Sequence, residues 1–329
     1  MQNLRSTARA DGAPNKTLIL IHGRGFKPAQ PELEGLWLEA LRAGLTRDSP
    51  ELLPAFERCN RVFVYYGDET SEVLRAAGRH YDAALDLADL KNTLALLTAL
   101  SKTKEFRREN YERLPGKTPL KEFFADIGAP ALAMLGLKDR AIGRFLPELL
   151  DYWRAEGGSL RAVDARLRDV VADAMQRGDD VLLVSHCIGS VLAYNALWAL
   201  SRGGFRDGTC ANGKVGVWLT LGAPLGDETV KHRLDGAGGD RRSRYPNNVV
   251  AWTNVAAEDD YVCHDERLAN DFRGMLEERS ISRIEDVSVY NMALRYGRSN
   301  PHSALGYLIH PRVTQVLGRW LGVAPEPNP

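Results

Sequence analysis

The feature that most constrains this chain is a short apolar run that ends in a turn of small residues. Residues 180–186 form an apolar run with β-branched side chains, and residues 188–194 have apolar side chains at helical spacing. This pattern predicts a buried strand, a sharp turn and a helix. Cys187 lies at the apex of the turn. Ser185 and Gly189 lie two residues to either side of it, and small residues there let the strand and the helix approach each other.

A cysteine at the apex has a possible chemical use. The N-terminus of a helix carries a partial positive charge, which lowers the pKa of a nearby thiol and favours the nucleophilic thiolate. The alternative is a buried cysteine with only a packing role. Cys187 is therefore a candidate nucleophile whose partners must come from elsewhere in the chain.

The Ser-His-Cys-Ile-Gly sequence at residues 185–189 resembles the G-x-S-x-G nucleophile elbow of α/β-hydrolases. Cysteine replaces the usual serine, and Ser185 replaces the first glycine. The resemblance to this superfamily of lipases and esterases implies a mostly parallel, doubly wound α/β sheet. It also implies an acid after a later strand and a histidine after the last strand.

The rest of the chain alternates between apolar runs and helical spacing, which predicts a parallel sheet with helices on both faces. The apolar runs predict strands at residues 17–21, 61–66, 180–186, 214–221, 248–255 and 284–291. Helical spacing predicts helices at residues 32–45, 160–175 and 313–321.

Residues 68–155 are predicted to be helical throughout, with breaks at proline and glycine. This segment is longer than a connection between strands requires, so we interpret it as an inserted helical cap or lid. The expected organisation is a polar leader at residues 1–16, a hydrolase-type core at residues 17–67 and 156–323, the cap at 68–155 and a tail at 324–329.

A His-Gly-Arg-Gly turn at residues 22–25 follows the first predicted strand. In the superfamily, the residue after a His-Gly pair at this point donates its backbone N–H to a developing oxyanion. The residue after the nucleophile is the second donor. The resemblance therefore implies an oxyanion hole made by Arg24 and Ile188. The turn is also similar to a dinucleotide-binding fingerprint, but Pro28 replaces the third glycine and no helix follows directly.

Three acidic residues follow the predicted strand at residues 248–255, where the superfamily keeps the carboxylate that orients the histidine. Asp260 matches the usual Asp-Pro-Val pattern best, although a tyrosine replaces the proline. Asp259 and Glu258 remain alternatives, because the sequence does not show which carboxylate points inward.

His302 follows the last predicted strand, where the superfamily places its general base. The chain order of nucleophile, acid and histidine is also that of the superfamily. A capping or surface histidine is the alternative interpretation. The other six histidines are interpreted as structural or surface residues.

Composition argues against several other classes of protein. Lys and Arg total 43 and Asp and Glu also total 43, so no global charge favours nucleic acid or an anionic membrane. The four cysteines are widely spaced, which argues against a disulfide framework and a zinc site. We expect no metal and no cofactor. No apolar stretch is long enough for stable membrane insertion, and residues 1–16 lack the apolar region of a secretory signal, so we expect a cytoplasmic protein.

These observations predict a hydrolase that acts on ester, thioester or lactone bonds of a small acyl substrate. Cys187 would be the nucleophile, His302 the base and Asp260 the orienting acid, with a covalent acyl-enzyme intermediate. One alternative is an acyltransferase with the same three residues. Another is a non-catalytic protein of this fold that binds a small apolar ligand, and a weaker one is a redox-sensing thiol. The sequence indicates no oligomeric state.

Overall fold

The core of the protein is a six-stranded sheet in which every pair of neighbouring strands is parallel. A computed structural model of the chain describes residues 15–76, 78–102, 106–116, 152–153, 161–203, 213–240, 243–263 and 267–322. The strands are β1 (Lys16–Ile21), β2 (Asn60–Val64), β3 (Asp180–His186), β4 (Val215–Leu221), β5 (Val249–Ala257) and β6 (Arg283–Val289). Their order across the sheet is β2-β1-β3-β4-β5-β6. The predicted α/β fold with a parallel sheet is confirmed.

Helices connect these strands and follow the last of them. The longer ones are α1 (Gln30–Asp48), α3 (Gly67–Ala76), α4 (Ala83–Lys102), α6 (Arg161–Gln176), α7 (Ile188–Ser201) and α12 (Pro311–Leu321). The shorter ones are α2 (Leu53–Arg58), α5 (Arg108–Tyr111), α8 (Glu228–Lys231), α9 (Leu268–Asp271), α10 (Arg273–Glu277) and α11 (Ala304–Leu308). Among the described residues, no helix is long and apolar enough to cross a membrane.

Successive side chains of the central strands enter two different hydrophobic cores. Ile19 and Ile21 of β1 lie in one core with apolar side chains of α6 and α7. Leu18 and Leu20 lie in the other core, with side chains of α1, α4, α11 and α12. Because side chains alternate between the faces of a strand, a strand buried on both faces must be apolar throughout. This explains the continuous apolar run of β1.

The order of the strands reverses between β1 and β3. From β1 the chain passes through α1 to β2 on one side, and it returns through α6 to β3 on the other side of β1. In open parallel sheets, ligands bind beyond the carboxyl ends of the strands at such a reversal point. The register pairs Ile21 of β1 with Ser185 of β3, so the two strands end side by side. The turns that follow them, at residues 22–25 and at Cys187, are thus brought together.

The segment predicted as a cap, residues 68–155, is described only in part. Its helix α4 packs against the core, because Leu94 and Leu97 belong to the same hydrophobic core as α1 and α12. Thr93 of α4 donates a hydrogen bond to the carbonyl oxygen of Leu294, at 2.8 Å. Residues 117–151 and 154–160 lie outside the described residues, as do residues 1–14 of the leader and the tail at 324–329.

A short hairpin, β7 (Leu294–Arg295) and β8 (Arg298–Ser299), was not predicted from the sequence. Two-residue strands are too short to show a period, and the turn depends on positive φ angles at Tyr296 and Gly297. Helix α12 begins at Pro311, two residues before the predicted start, because the His310 side chain caps it by accepting a hydrogen bond from the N–H of Arg312.

Candidate active site

Cys187 lies at a strained turn between β3 and α7. Its backbone has φ 55° and ψ −130°, in a region that non-glycine residues rarely occupy. Such a conformation costs roughly 1–3 kcal/mol and persists where the surroundings hold it in place. The turn is held by the hydrogen bond from the Cys187 N–H to the carbonyl oxygen of Leu221, at 3.0 Å. Gly189 is needed here, since a Cβ at this position would lie 2.4 Å from the carbonyl oxygen of His22.

The turn after β1 approaches the same cysteine from the other side. A Cβ on Gly23 would lie 2.6 Å from Cys187 Cβ and 2.6 Å from His186 Nδ1, so only glycine fits without displacement. The backbone of Arg24 forms a hydrogen bond with the Cys187 side chain. Ile188 is the first residue of α7, and the first N–H groups of a helix have no partner within it. The turn places the Arg24 backbone beside the sulfur, and the helix begins at the residue after the cysteine.

His302 and Asp260 form a buried hydrogen-bonded pair beyond the ends of β5 and β6. His302 donates from Nδ1 to Asp260 Oδ2 at 2.8 Å, with Oδ1 at 3.0 Å. The His302 side chain is 11% exposed and that of Asp260 is 0% exposed. Tyr307 donates to Asp260 Oδ2 at 2.7 Å, and the N–H of Val262 donates to Oδ1 at 3.1 Å. Burial raises the pKa of Asp260, but the charge of His302 and these hydrogen bonds outweigh burial and lower it.

The two other acidic residues of the loop make different contacts. Asp259 is exposed and has a positive φ of 62°. It accepts a hydrogen bond from the hydroxyl of Tyr111 in α5, at 2.9 Å. The N–H of Glu258 donates to the carbonyl oxygen of Val289, which continues the pairing of β5 with β6. Asp260 is thus the one of the three whose carboxylate bonds to His302 in the structure.

The remaining ring nitrogen of His302, Nε2, is the one that does not bond to Asp260. Nε2 is buried and has no hydrogen bond of ordinary geometry to any described residue. Burial lowers the pKa of His302, but Asp260 and Cys187 together raise it to about 10. Burial likewise raises the pKa of Cys187, while His302 and Arg24 lower it, and the net change is downward. Both shifts favour a thiolate beside an imidazolium.

The loop that carries His302 is fixed at three consecutive carbonyl groups. Asn291, just after β6, donates from Nδ2 to the carbonyl oxygens of Pro301 and Ser303, each at 2.8 Å. His186 donates from Nε2 to the carbonyl oxygen of His302 itself, at 3.0 Å. A Cβ on Gly306 would lie 1.7 Å from Asn291 Oδ1, so the close approach of Asn291 requires glycine there.

His22 is buried and held by two hydrogen bonds. Its Nδ1 donates to the carbonyl oxygen of Gly23 at 2.8 Å, and its Nε2 accepts from the N–H of Tyr66 at 3.0 Å. Burial, with a smaller effect of Lys27, lowers the pKa of His22 to about 3. His22 is therefore neutral and holds the turn after β1.

Three residues of this neighbourhood were not predicted from the sequence: His186, Asn291 and Tyr307. Each acts through a hydrogen bond outside regular secondary structure, and no spacing rule in one sequence reveals such a contact. The described residues contain no group of three or more His, Cys, Asp or Glu side chains placed to hold a metal ion.

Comparisons with protein-family models, with curated proteins and with solved structures found no match to this chain. Function is therefore inferred from the geometry of Cys187, His302 and Asp260.

Proposed function

We propose that this protein is a cysteine-dependent hydrolase of the α/β-hydrolase type that cleaves ester, thioester or lactone bonds. The observation that carries the proposal is the buried Nε2 of His302, which has no hydrogen-bond partner among the described residues, in a ring whose pKa Cys187 helps to raise. Buried polar atoms in native proteins nearly always have a hydrogen-bond partner, and a catalytic role is one reason for an exception. Proton transfer by Nε2 during catalysis would explain this one. In the proposed assignment Cys187 is the nucleophile, His302 the base and acid, and Asp260 the orienting carboxylate.

The chemistry begins with the thiolate form of Cys187. Its sulfur forms a bond to the acyl carbon, and the carbonyl electron pair moves onto the oxygen. Backbone N–H groups of Arg24 and Ile188 are proposed to stabilise that oxyanion. When the oxyanion collapses, the bond to the leaving group breaks, and the leaving group takes a proton from the His302 imidazolium. The product is a thioester of Cys187.

Hydrolysis of this thioester restores the starting state. Neutral His302 removes a proton from water at Nε2 as the water oxygen attacks the acyl carbon. Collapse of the second oxyanion releases the carboxylic acid and the Cys187 thiolate, and His302 is again an imidazolium. An alcohol or amine in place of water would make the protein an acyltransferase, which remains the alternative activity.

The place of Cys187 in the sheet also supports a role in ligand chemistry. Cys187 follows β3 and the Arg24 turn follows β1, so both lie at the reversal point of the strand order, where α/β sheets bind ligands. The strained backbone of Cys187 is a further indication, because strain of this kind concentrates at functional sites. A non-catalytic binding protein needs neither the strain nor the lowered thiol pKa.

The test is intact-mass spectrometry after brief exposure of the protein to p-nitrophenyl acetate and, separately, to phenyl thioacetate. Small acetyl donors are chosen because Cys187 is completely buried in the structure. We expect a transient mass increase of one acetyl group. Cys187→Ala should show none. His302→Asn keeps a donor to Asp260 but lacks the base, so its adduct should form and decay slowly.

The matched control is Cys59→Ala. Cys59 is also buried, but burial raises its pKa to about 11, and its thiol donates to the carbonyl oxygen of Phe56. This variant should give the same adduct as the unaltered protein. Absence of any adduct and any product in folded protein would contradict the hydrolase proposal and favour the binding alternative.

A further inference from the structure

His186 is a buried histidine that the proposed chemistry does not use. It precedes Cys187 in the chain, and its ring centroid lies 4.8 Å from that of His302. Its Nε2 is 3.0 Å from the carbonyl oxygen of His302. A carbonyl oxygen only accepts hydrogen bonds, so Nε2 of His186 carries the hydrogen.

The other nitrogen of His186 is in a confined place. Nδ1 faces the turn after β1, where a Cβ on Gly23 would be 2.6 Å away. Burial lowers the pKa of His186 well below its usual value. The positive charges of His302 and Lys27 lower it further, while Asp260 and the hydrogen bond to His302 oppose this. The ring is therefore neutral, with its hydrogen on Nε2.

A neutral hydrogen-bond donor at the position of His186 has an electrostatic advantage over a charged one. It binds the backbone of His302 without placing a second positive charge beside the His302 ring. A charged side chain at the same position would disfavour the imidazolium that the thiolate needs. Asn291 fixes the neighbouring carbonyl groups of Pro301 and Ser303 from the end of β6. The hydrogen bond of His186 joins the His302 loop directly to the residue before the nucleophile.

We propose that His186 is a positioning residue that sets the distance between His302 and Cys187 by holding the His302 carbonyl group from the nucleophile turn. The inference rests on the proposed function, since it assigns His186 a part in the same site. It extends that function because His186 would then affect catalysis by positioning His302, without contacting the substrate.

The experiment compares His186→Gln with His186→Asn. The amide nitrogen of glutamine reaches about as far as histidine Nε2, whereas that of asparagine reaches only as far as Nδ1. The main measurement is the pH titration of the Cys187 thiolate by its ultraviolet absorbance, taken as the difference from the same protein with Cys187→Ala. A second measurement is kcat and KM with p-nitrophenyl acetate. The titration needs no turnover, so it also decides the inference if the hydrolase proposal fails.

We expect His186→Asn to raise the pKa of Cys187 and to lower kcat by about 10-fold to 100-fold with little change in KM, because a misplaced base has this effect. His186→Gln should stay close to the unaltered protein in both measurements. Equal behaviour of the two variants, or an unchanged titration in His186→Asn, would overturn the inference.

His310→Leu is the matched control. His310 is also a buried histidine whose pKa is lowered, to about 3, but it caps α12 and packs against Phe106. The loss of His310 should lower the melting temperature and leave the pKa of Cys187 unchanged. If His186→Asn does not fold, His186→Leu is measured in its place. We expect it to raise the pKa of Cys187 and to lower kcat, and an unchanged titration would overturn the inference.

Discussion

Tyr307 donates its hydroxyl hydrogen to Asp260 Oδ2 at 2.7 Å, and the same hydroxyl oxygen accepts from the N–H of Ala257 at 2.9 Å. Ala257 is the last residue of β5, and Tyr307 lies on α11, just after His302. Tyr307 thus connects the Asp260 carboxylate to the end of β5, the strand that precedes Asp260 in the chain. Burial and the charge of Asp260 raise the pKa of Tyr307 well above its usual value, so the hydroxyl remains a donor.

Tyr307→Phe should destabilise the protein and slow catalysis. The buried carboxylate loses a donor, and a hydrogen bond to a charged group contributes about 1.5–3 kcal/mol. We expect a loss of this size in the free energy of unfolding, measured with urea, and a lower kcat. Tyr194→Phe is the matched control, because the hydroxyl of this buried tyrosine donates only to the carbonyl oxygen of Arg244, at 3.3 Å. Equal loss of kcat in both variants would argue against a particular role of Tyr307.

Asp260→Asn should reduce kcat strongly, and Asp259→Asn should not. The first change removes the charge that raises the pKa of His302, and such losses in general acid–base catalysis are about 10²-fold to 10⁴-fold. Asp259 bonds to Tyr111, and asparagine tolerates its positive φ. Steady-state rates with p-nitrophenyl acetate distinguish the two. Similar losses in both variants would show that the assignment of the acid is wrong.

Activity should have an acidic limit and an alkaline limit. On the acidic side the rate rises as Cys187 loses its proton, at a pH below the usual range for a thiol because its pKa is lowered. On the alkaline side it falls as His302 loses its proton, near pH 10. The pH dependence of kcat/KM measures both limits. In Asp260→Asn the alkaline limit should move to lower pH, because burial then lowers the pKa of His302 with less opposition; an unmoved limit would show that another group sets it.

Cys187→Gly should be more stable than Cys187→Ala, although both lack the nucleophile. Glycine adopts a positive φ without strain, whereas alanine keeps the strain of φ 55°. The strain is roughly 1–3 kcal/mol, and the greater freedom of glycine in the unfolded chain offsets about 0.4–1 kcal/mol of it. Urea unfolding of the two variants measures the difference. A less stable glycine variant would mean that the turn is not strained.

The fold and the turn at Cys187 could be predicted from the sequence because both depend on local patterns of residues. The apolar run of β3, the small residues around Cys187 and the apolar spacing of α7 are all visible in 15 consecutive positions from 180 to 194. The strands were placed within a few residues of their observed ends. Their ends shifted where hydrogen bonding rather than apolar character decides, as in β2, which stops at Val64 although Tyr65 and Tyr66 continue the apolar run.

The choice among Glu258, Asp259 and Asp260 was beyond the sequence, since it depends on the direction of one tight turn. Asp259 takes a positive φ, which turns its side chain to Tyr111 and brings Asp260 to His302. Tyr111 itself belongs to residues 68–155, the segment predicted to form a cap. The contact between Tyr111 and Asp259 was not foreseeable from composition or periodicity.

The lowered pKa of Cys187 arises from residues that lie far apart in the chain. His302 is held near the cysteine by the loop after β6, which pairs with β5 and is fixed by a hydrogen bond from Asn291. In an unfolded chain a cysteine has a pKa of about 8.5 and is mostly a protonated thiol at neutral pH. A chain still under synthesis therefore exposes an ordinary, weakly reactive thiol. The thiol is therefore a reactive nucleophile only in the folded protein, where its side chain is buried.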